Sequence, residues 1–148
     1  MWWKAIQGRQ KAKAAEQAGK RSVLAETFMT ANAARDEVST TASGLQYEVL
    51  ESGSGESPNA KSTVVTHYHG TLVDGTVFDS SVQRGEPAEF GVHQVIPAWT
   101  EALQMMSVGD KWRIACPPEL AYGEQGAGDA IPPNTALVFE IHLLEIKA

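Results

Sequence analysis

Apolar and polar residues alternate along much of the chain after residue 44, the period expected of β-strands that bury one face. The clearest row runs from Leu137 to Leu143, with Phe139 and Ile141 on the same face. The same pattern predicts strands at residues 45–49, 63–69, 76–79, 88–92 and 111–116. The expected inward rows of the first two are Leu45, Tyr47 and Val49, and Val64, Thr66 and Tyr68. The chain is therefore expected to form five or six strands.

One short helix interrupts the predicted strands. Residues 98–106 place Trp99, Leu103 and Met106 at i, i+4 and i+7, which is one face of a helix. The pair Asp74-Gly75 predicts a tight hairpin turn between two strands. Antiparallel strands with a single helix packed across them indicate an α+β fold.

A longer helix is predicted at the start, from about residue 4 to residue 36, because Ala, Lys, Gln, Arg and Glu dominate there. Its apolar stripe consists of Trp2, Trp3 and Ile6, then alanines, then Leu24, Phe28 and Ala31. So narrow a stripe gains little from burial, so the helix is expected to lean on a partner helix or on the rest of the protein. A partly frayed tail is the alternative. Residues 38–43 (VSTTAS) end the helical pattern.

Composition separates the same two parts of the 148-residue chain. Residues 1–35 carry seven Lys or Arg and two Glu, whereas the remainder carries five basic and sixteen acidic residues. The net charge of −6 argues against a general nucleic-acid-binding surface. No apolar run reaches the length of a membrane span. A single cysteine excludes an internal disulfide framework and a multi-cysteine zinc site.

Ionisable side chains offer few candidates for chemistry. His67 and His69 share a face of a predicted strand, a spacing that can bind zinc, but no third ligand is close in sequence, which favours a solvated pair. There is no G-x-S-x-G elbow, so a hydrolase is disfavoured. The glycine-rich stretches lack the Walker lysine and the dinucleotide fingerprint. Cys116 is expected to be a small core residue.

Three segments carry a resemblance to a known family. They are residues 65–81 (VTHYHGTLVDGTVFDSS), 95–112 (VIPAWTEALQMMSVGDKW) and 120–146 (LAYGEQGAGDAIPPNTALVFEIHLLEI). In order and spacing they resemble the FKBP-type peptidyl-prolyl isomerases. The helix that ends in TTASGLQYEVL further resembles the bacterial Mip-like subgroup, in which a long helix joins the catalytic domain to a dimerising module. The resemblance divides the chain into a basic, alanine-rich helical segment at 1–40 and an isomerase domain at 41–148.

The resemblance implies an FKBP-like antiparallel half-barrel sheet wrapped on one short helix, with an apolar pocket between them. Trp99 would form the pocket floor, and its walls would be Tyr68, Phe78, Phe90, Val95, Ile96, Ile131 and Phe139. The backbone N–H of Ile96 and the hydroxyl of Tyr122 would donate to substrate carbonyls. Asp79 would lie at the rim, paired with Tyr68 and Arg84. The expected catalytic residues are Tyr68, Asp79, Ile96, Tyr122 and Phe139, and the expected substrate-binding residues are Phe78, Arg84, Phe90, Val95, Trp99 and Ile131.

Three alanines depart from the family pattern. Ala88 stands where many members have an aromatic wall residue, and Ala127 and Ala130 replace bulkier residues after Tyr122. We expect these changes to alter affinity and substrate preference rather than the reaction. The alternative interpretation of the matched positions is structural: the aromatic residues would be core, and Asp79 would be a turn or cap residue.

The expected reaction needs only a shaped apolar pocket. An X-Pro amide crosses a barrier of roughly 18–20 kcal/mol because rotation destroys its resonance. The planar amide is more charge-separated than the twisted one, so a dry aromatic pocket favours the transition state. A donor to a flanking carbonyl holds the twisted geometry. No nucleophile, metal or cofactor is required.

The sequence therefore predicts a peptidyl-prolyl cis–trans isomerase, or rotamase, for unfolded or partly folded proteins. The alternative is an FKBP-fold chaperone or binding module with incidental isomerase activity. Expected partners are proline-containing polypeptides and, by resemblance, tacrolimus and rapamycin; nucleic acid and a membrane span are not expected. A homodimer through the N-terminal helix is slightly favoured. Without the apolar run of an export signal, the cytoplasm is expected; a chain whose leader had been removed would look the same and lie in the periplasm.

Overall fold

The computed structural model describes residues 24–123, 126, 131 and 134–147. Its elements, in chain order, are α1 (24–33), β1 (Ser39–Thr40), β2 (Gln46–Glu51), β3 (Thr63–Leu72), β4 (Val77–Ser80), α2 (Ser81–Arg84), β5 (Ala88–Gly91), α3 (Pro97–Met105), β6 (Lys111–Cys116) and β7 (Leu137–Ile146). Short 3-10 helices occupy Val92–Gln94 and Pro118–Leu120. The predicted start of the N-terminal helix, with Trp2, Trp3 and Ile6, lies outside the described residues.

The strands form one antiparallel sheet in the order β1-β2-β6-β7-β3-β4. On the edge of β3 that faces away from β7, two strands share the pairing: β5 pairs with Thr63 to Thr66, and β4 pairs from His69 onward. The described residues form seven strands rather than the expected five or six. The additional strand is β1, whose two residues are too few to produce a periodic signal.

One face of the sheet packs on α3, which confirms the α+β prediction. Trp99 and Leu103 of α3 are buried together with Tyr68 of β3, Ile114 of β6 and Ile141 of β7. Helix α3 begins one residue before the predicted start, because a proline with its fixed φ suits the first helical position. The predicted inward row Val64, Thr66 and Tyr68 of β3 is buried.

The predicted inward row of β2 is wrong at one end. Leu45 is buried and Tyr47 stacks on Trp112 with ring centroids 4.5 Å apart, but Val49 is 46% exposed. A register shift between Val49 and Glu51 ends the alternation there. On the other face, Gln46 is only 4% exposed because α1 covers it. Its amide nitrogen donates to the carbonyl of Met29 at 2.8 Å, which satisfies a buried polar group.

Helix α1 ends at residue 33, three residues before the predicted end. Two polar residues near this end of the helix form side-chain hydrogen bonds to β2. Asn32 donates to the side-chain oxygen of Gln46 at 2.8 Å, and Arg35 donates to Glu48 at 3.0 Å. Arg113 of β6 reaches the same Glu48 carboxylate at 3.3 Å. The helix is thus attached to the outer face of the sheet through polar contacts.

None of the helices within the described ranges combines the length and the apolar character needed to cross a bilayer.

Candidate active site

A cavity of about 400 Å³ lies where α3, the sheet, the segment before α3 and the turn after the second 3-10 helix meet. Its lining residues come from β3, β4, β5, β7, the segment 94–99 and the turn after the second 3-10 helix. They are Tyr68, Phe78, Asp79, Phe90, Gln94, Val95, Ile96, Trp99, Tyr122 and Phe139. A mainly apolar cleft with a few polar groups is the usual form of a ligand site.

Trp99 is the centre of the aromatic lining. Its ring meets Tyr68, Phe90 and Phe139 edge-to-face, at centroid distances of 5.4, 5.3 and 5.3 Å. Phe78 adds a further edge-to-face contact with Phe139 at 5.4 Å. These arrangements suit the ring quadrupoles and fix each ring relative to its neighbours. The cavity therefore has a rigid aromatic floor and walls.

The close approach of Phe78 and Phe139 requires glycine at residue 70. A Cβ at Gly70 would lie 2.7 Å from Cζ of Phe78 and 2.9 Å from Cε1 of Phe139. Gly70 belongs to the inward row of β3, two residues after Tyr68, so a side chain there would enter the aromatic cluster. Gly70 is not among the predicted site residues, although it lies in the segment 65–81 that carries the family resemblance.

A polar network stands at the rim of the cavity. The hydroxyl of Tyr68 donates to Oδ2 of Asp79 at 2.6 Å, and the guanidinium of Arg84 donates to the same hydroxyl at 3.0 Å. Arg84 also forms an ion pair with Oδ1 of Asp79. The guanidinium lies over the Tyr68 ring, 5.6 Å from its centroid, within cation–π range. The structure thus brings together the three residues that the sequence analysis had expected to pair.

The short helix α2 places Arg84 in this network. The hydroxyl of Ser80 accepts the backbone N–H of Gln83 and caps the start of the helix. Gly85, with φ of 78°, ends it, and its N–H donates to the carbonyl of Ser81 at 3.0 Å. The two caps fix a single turn, which carries Arg84 back over Asp79.

The network shifts the ionisation of its members. Burial raises the pKa of Asp79, but hydrogen bonds from Tyr68 and Arg84 together with the guanidinium charge outweigh burial and hold that pKa below its usual range. Burial, and the hydrogen bond to Asp79, raise the pKa of the Tyr68 hydroxyl. At neutral pH Asp79 is therefore a carboxylate and Tyr68 a neutral donor.

The lowered pKa of Asp79 predicts where its contribution to stability disappears. A carboxylate with a lowered folded-state pKa stabilises the protein above the unfolded-state value and stops doing so as the pH falls through the folded-state value. We expect the difference in unfolding free energy between the wild type and Asp79→Asn to be constant from about pH 7 to about pH 5 and to narrow below about pH 4. Urea titrations at each pH measure it. A difference that already narrows above pH 5 would contradict the carboxylate network.

Two hydrogen-bond donors belong to residues that line the cavity. Within the described part of the chain, the backbone N–H of Ile96 has no acceptor, because Ile96 precedes α3 and only its carbonyl accepts, from Trp99 and Thr100. The hydroxyl of Tyr122, a residue 40% exposed, likewise has no partner among the described residues. Both groups can donate to an oxygen of a bound molecule without breaking an existing bond.

Two family models cover most of the chain. The model of FKBP-type peptidyl-prolyl cis-trans isomerase matches residues 54–144, and the model of the domain amino-terminal to it matches residues 2–49. The first match alone covers more than half of the chain.

The chain belongs to the FKBP-type peptidyl-prolyl cis-trans isomerase family.

Individual relatives agree with this assignment. The FKBP-type 22 kDa peptidyl-prolyl cis-trans isomerase of Escherichia coli strain K12 is 56% identical over 119 residues, which are 80% of this chain and 58% of that protein. The peptidyl-prolyl cis-trans isomerase Mip of Coxiella burnetii is 51% identical over 120 residues, which are 81% of this chain and 52% of that protein. The chain thus spans a little over half the length of these relatives.

A solved structure supports the fold. The crystal structure of FkpA from Escherichia coli superimposes with a TM-score of 0.90 at 42% sequence identity, covering 98% of this chain and 70% of that one. The Mip-like resemblance is therefore confirmed as well as the FKBP-type family.

One predicted wall residue is not among those that line the cavity. Ile131 is 4% exposed and packs with the core cluster. Arg84 is exposed and bonded to Asp79 and Tyr68 at the rim, which is the pairing expected for it. Conversely, Gln94 lines the cavity and was missed, because no motif position marks its side chain.

Of the three alanines that depart from the family pattern, only one lies among the described residues. Ala88 is half-buried on β5 and packs against the core cluster without lining the cavity. Ala127 and Ala130 lie outside the described residues.

The remaining candidate groups lie away from the cavity. Nδ1 of His67 is 3.0 Å from Oγ of Ser81, and Nδ1 of His69 is 2.9 Å from Oγ of Ser80, so the two rings are half-buried and bonded rather than simply solvated. The described residues contain no group of three His, Cys, Asp or Glu arranged to hold a metal ion. Cys116 is fully buried, and burial raises the pKa of its thiol.

Proposed function

We propose that this chain catalyses cis–trans isomerisation of X-Pro bonds in unfolded or partly folded polypeptides. The observation that carries the proposal is the aromatic cavity around Trp99, with the unpartnered donors of Ile96 and Tyr122 at it. FKBP-type isomerases act on proline-containing polypeptides, and the chain belongs to that family. The chain spans little more than half of the length of these relatives, so isomerase activity of this chain is a proposal that has to be tested on the chain itself.

The proposed reaction is non-covalent. The proline ring rests on Trp99 between the walls formed by Phe78, Phe90, Val95 and Phe139. The twisted amide is less charge-separated than the planar one, so a cavity that excludes water favours it. A hydrogen bond from Ile96 N–H or the Tyr122 hydroxyl to a flanking carbonyl fixes the peptide in that geometry. Tyr68 and Asp79 form the rim of the cavity, and Arg84 contributes by bonding to both of them.

The test is protease-coupled turnover of a short Leu-Pro-Phe peptide with and without rapamycin. We expect turnover that rapamycin abolishes, because both molecules would occupy the cavity. The same assay with Tyr122→Phe separates the donor from the cavity, and we expect a roughly tenfold lower kcat/KM with rapamycin binding retained. A wild-type chain that neither turns over the peptide nor binds rapamycin would contradict the proposal.

The second candidate is a chaperone or binding module whose isomerase activity is incidental. The basic composition of residues 1–35 favours it, because a second surface of opposite charge to the rest of the chain suits a client or an acidic partner. Replacement of Asp79 and Tyr122 discriminates between the two. If protection of an aggregating client survives while prolyl turnover falls, the chaperone function is primary.

We also propose the division of the chain into a helical segment at 1–40 and an isomerase domain at 41–148, with a homodimer formed through the first. A narrow apolar stripe on the N-terminal segment supports pairing with a second helix. Light scattering over a dilution series tests it, and the mass of a single chain at every concentration would remove the dimer. The proposed compartment is the cytoplasm, with the periplasm as the alternative if a leader has been removed; cell fractionation decides.

A further inference from the structure

Strand β3 has a gap in its pairing at the residue that enters the cavity. On the edge away from β7, β5 pairs with residues up to Thr66 and β4 pairs only from His69. Among the described residues, no strand pairs with Tyr68 on that edge. Burying the backbone N–H and carbonyl of a strand residue costs free energy unless each of them forms a hydrogen bond.

The side chain of Ser81 fills this gap. Its hydroxyl oxygen accepts the backbone N–H of Tyr68 at 2.7 Å, and the hydroxyl lies 3.2 Å from the Tyr68 carbonyl. Ser81 is 0% exposed, and the same oxygen is 3.0 Å from Nδ1 of His67. One hydroxyl therefore takes the place of a strand for both backbone groups of Tyr68.

The segment that contains Ser81 also holds the other end of Tyr68. Asp79 precedes it by two residues and accepts the phenolic hydroxyl, and Arg84 follows it by three and donates to that hydroxyl. Ser81 opens α2, so its position and that of Arg84 belong to one rigid turn. Tyr68 is thereby clamped at its backbone and at its hydroxyl by residues 79–84.

We propose that Ser81 is a positioning residue of the active site, which acts through Tyr68. This inference rests on the proposed isomerase function. Without the Ser81 hydroxyl, the backbone N–H of Tyr68 loses its acceptor on that edge, and its carbonyl keeps only the longer contact with Oγ of Ser80 at 3.5 Å, so the phenol no longer stands at a fixed distance from Asp79.

The first measurement compares two buried serines, Ser81 and Ser62. We expect Ser81→Ala to lower kcat about tenfold with KM little changed, a smaller loss than the hundredfold that a 1 Å misplacement can cause. Ser62→Ala is the matched control, because it removes another buried hydroxyl that accepts a backbone N–H, that of Asn59 at 3.0 Å, from a residue that does not line the cavity. We expect it to change turnover less than threefold. Equal losses of activity in the two variants would overturn the inference.

A second pair of measurements distinguishes positioning from general stability. In a Tyr68→Phe background, Ser81→Ala is expected to lower turnover less than twofold, because the hydroxyl that it positions is already gone. A full tenfold loss in that background would overturn the inference. Amide hydrogen exchange should show the Tyr68 N–H exchanging at least tenfold faster in Ser81→Ala, and unchanged exchange would also overturn it. Absence of turnover in the wild type would instead refute the proposed function, while the exchange result would still decide the role of Ser81.

Discussion

Trp99→Ala should remove prolyl turnover almost completely, with kcat/KM at least about a hundredfold below the wild type, or about 2.7 kcal/mol of transition-state stabilisation. The reason is that Trp99 forms the cavity floor and also fixes three other rings edge-to-face. Because its side chain is buried, the substitution should also lower the free energy of unfolding by roughly 3–5 kcal/mol. The coupled peptide assay measures the loss of turnover, and isothermal titration measures the expected loss of rapamycin binding.

The chain offers a matched control in Trp112. It is as buried as Trp99, at 5% against 4% exposed, and both indole N–H groups are buried without a partner among the described residues. Trp112 stacks on Tyr47 away from the cavity. Trp112→Ala should therefore lose comparable stability while retaining rapamycin binding at a temperature where it is folded. If Trp99→Ala does not fold, Trp99→Leu replaces it. Retained binding in a folded Trp99 variant would contradict the assignment of the floor.

Gly70→Ala should be the most damaging single-methyl change in the sheet. The added Cβ would lie closer than 3 Å to both Phe78 and Phe139, and overpacking of this kind costs roughly 1–3 kcal/mol. Replacing glycine reduces the entropy of the unfolded chain, a gain of only about 0.4–1 kcal/mol, so the steric cost dominates. The two rings must move into the cavity, and we expect kcat/KM to fall roughly 10- to 100-fold.

Gly91→Ala on β5 provides the comparison. The three atoms nearest to a Cβ at that position all belong to the side chain of Gln94, whose flexible end can move away. We expect its melting temperature to match the wild type or exceed it, whereas that of Gly70→Ala falls. If the two alanine variants unfold at the same temperature, or if Gly70→Ala keeps full turnover, the tight packing around Gly70 is not what shapes the cavity.

The candidate site was predictable from sequence where motif spacing fixed it. Phe78, Phe90, Trp99 and Phe139 line the cavity as expected. Ile131 was expected in the wall but is buried with the core cluster and is not among the lining residues, because an apolar residue type suits both places. Gln94 lines the cavity through a 3-10 turn that has no periodic signal.

The polar contacts of the fold were less accessible. Gln46 is buried because α1 covers it and the carbonyl of Met29 accepts a hydrogen bond from its amide. These two residues are 17 apart in sequence. Ser81 lies in a motif that the sequence analysis interpreted through Asp79 alone. Its role follows from the gap that β4 and β5 leave beside Tyr68, which requires the strand register.

By itself, the sequence determined the α+β class, most strands, the α3 helix, the hairpin turn at Asp74-Gly75 and the family, because hydrophobic period, turn residues and motif spacing are local properties. Only the tertiary structure decided which buried residues face the cavity, why residue 70 must be glycine, and how one serine holds Tyr68. These depend on how segments that are remote in the chain pack together, where a difference of a few tenths of an ångström in a distance decides whether a side chain fits. No local pattern in the sequence encodes such differences.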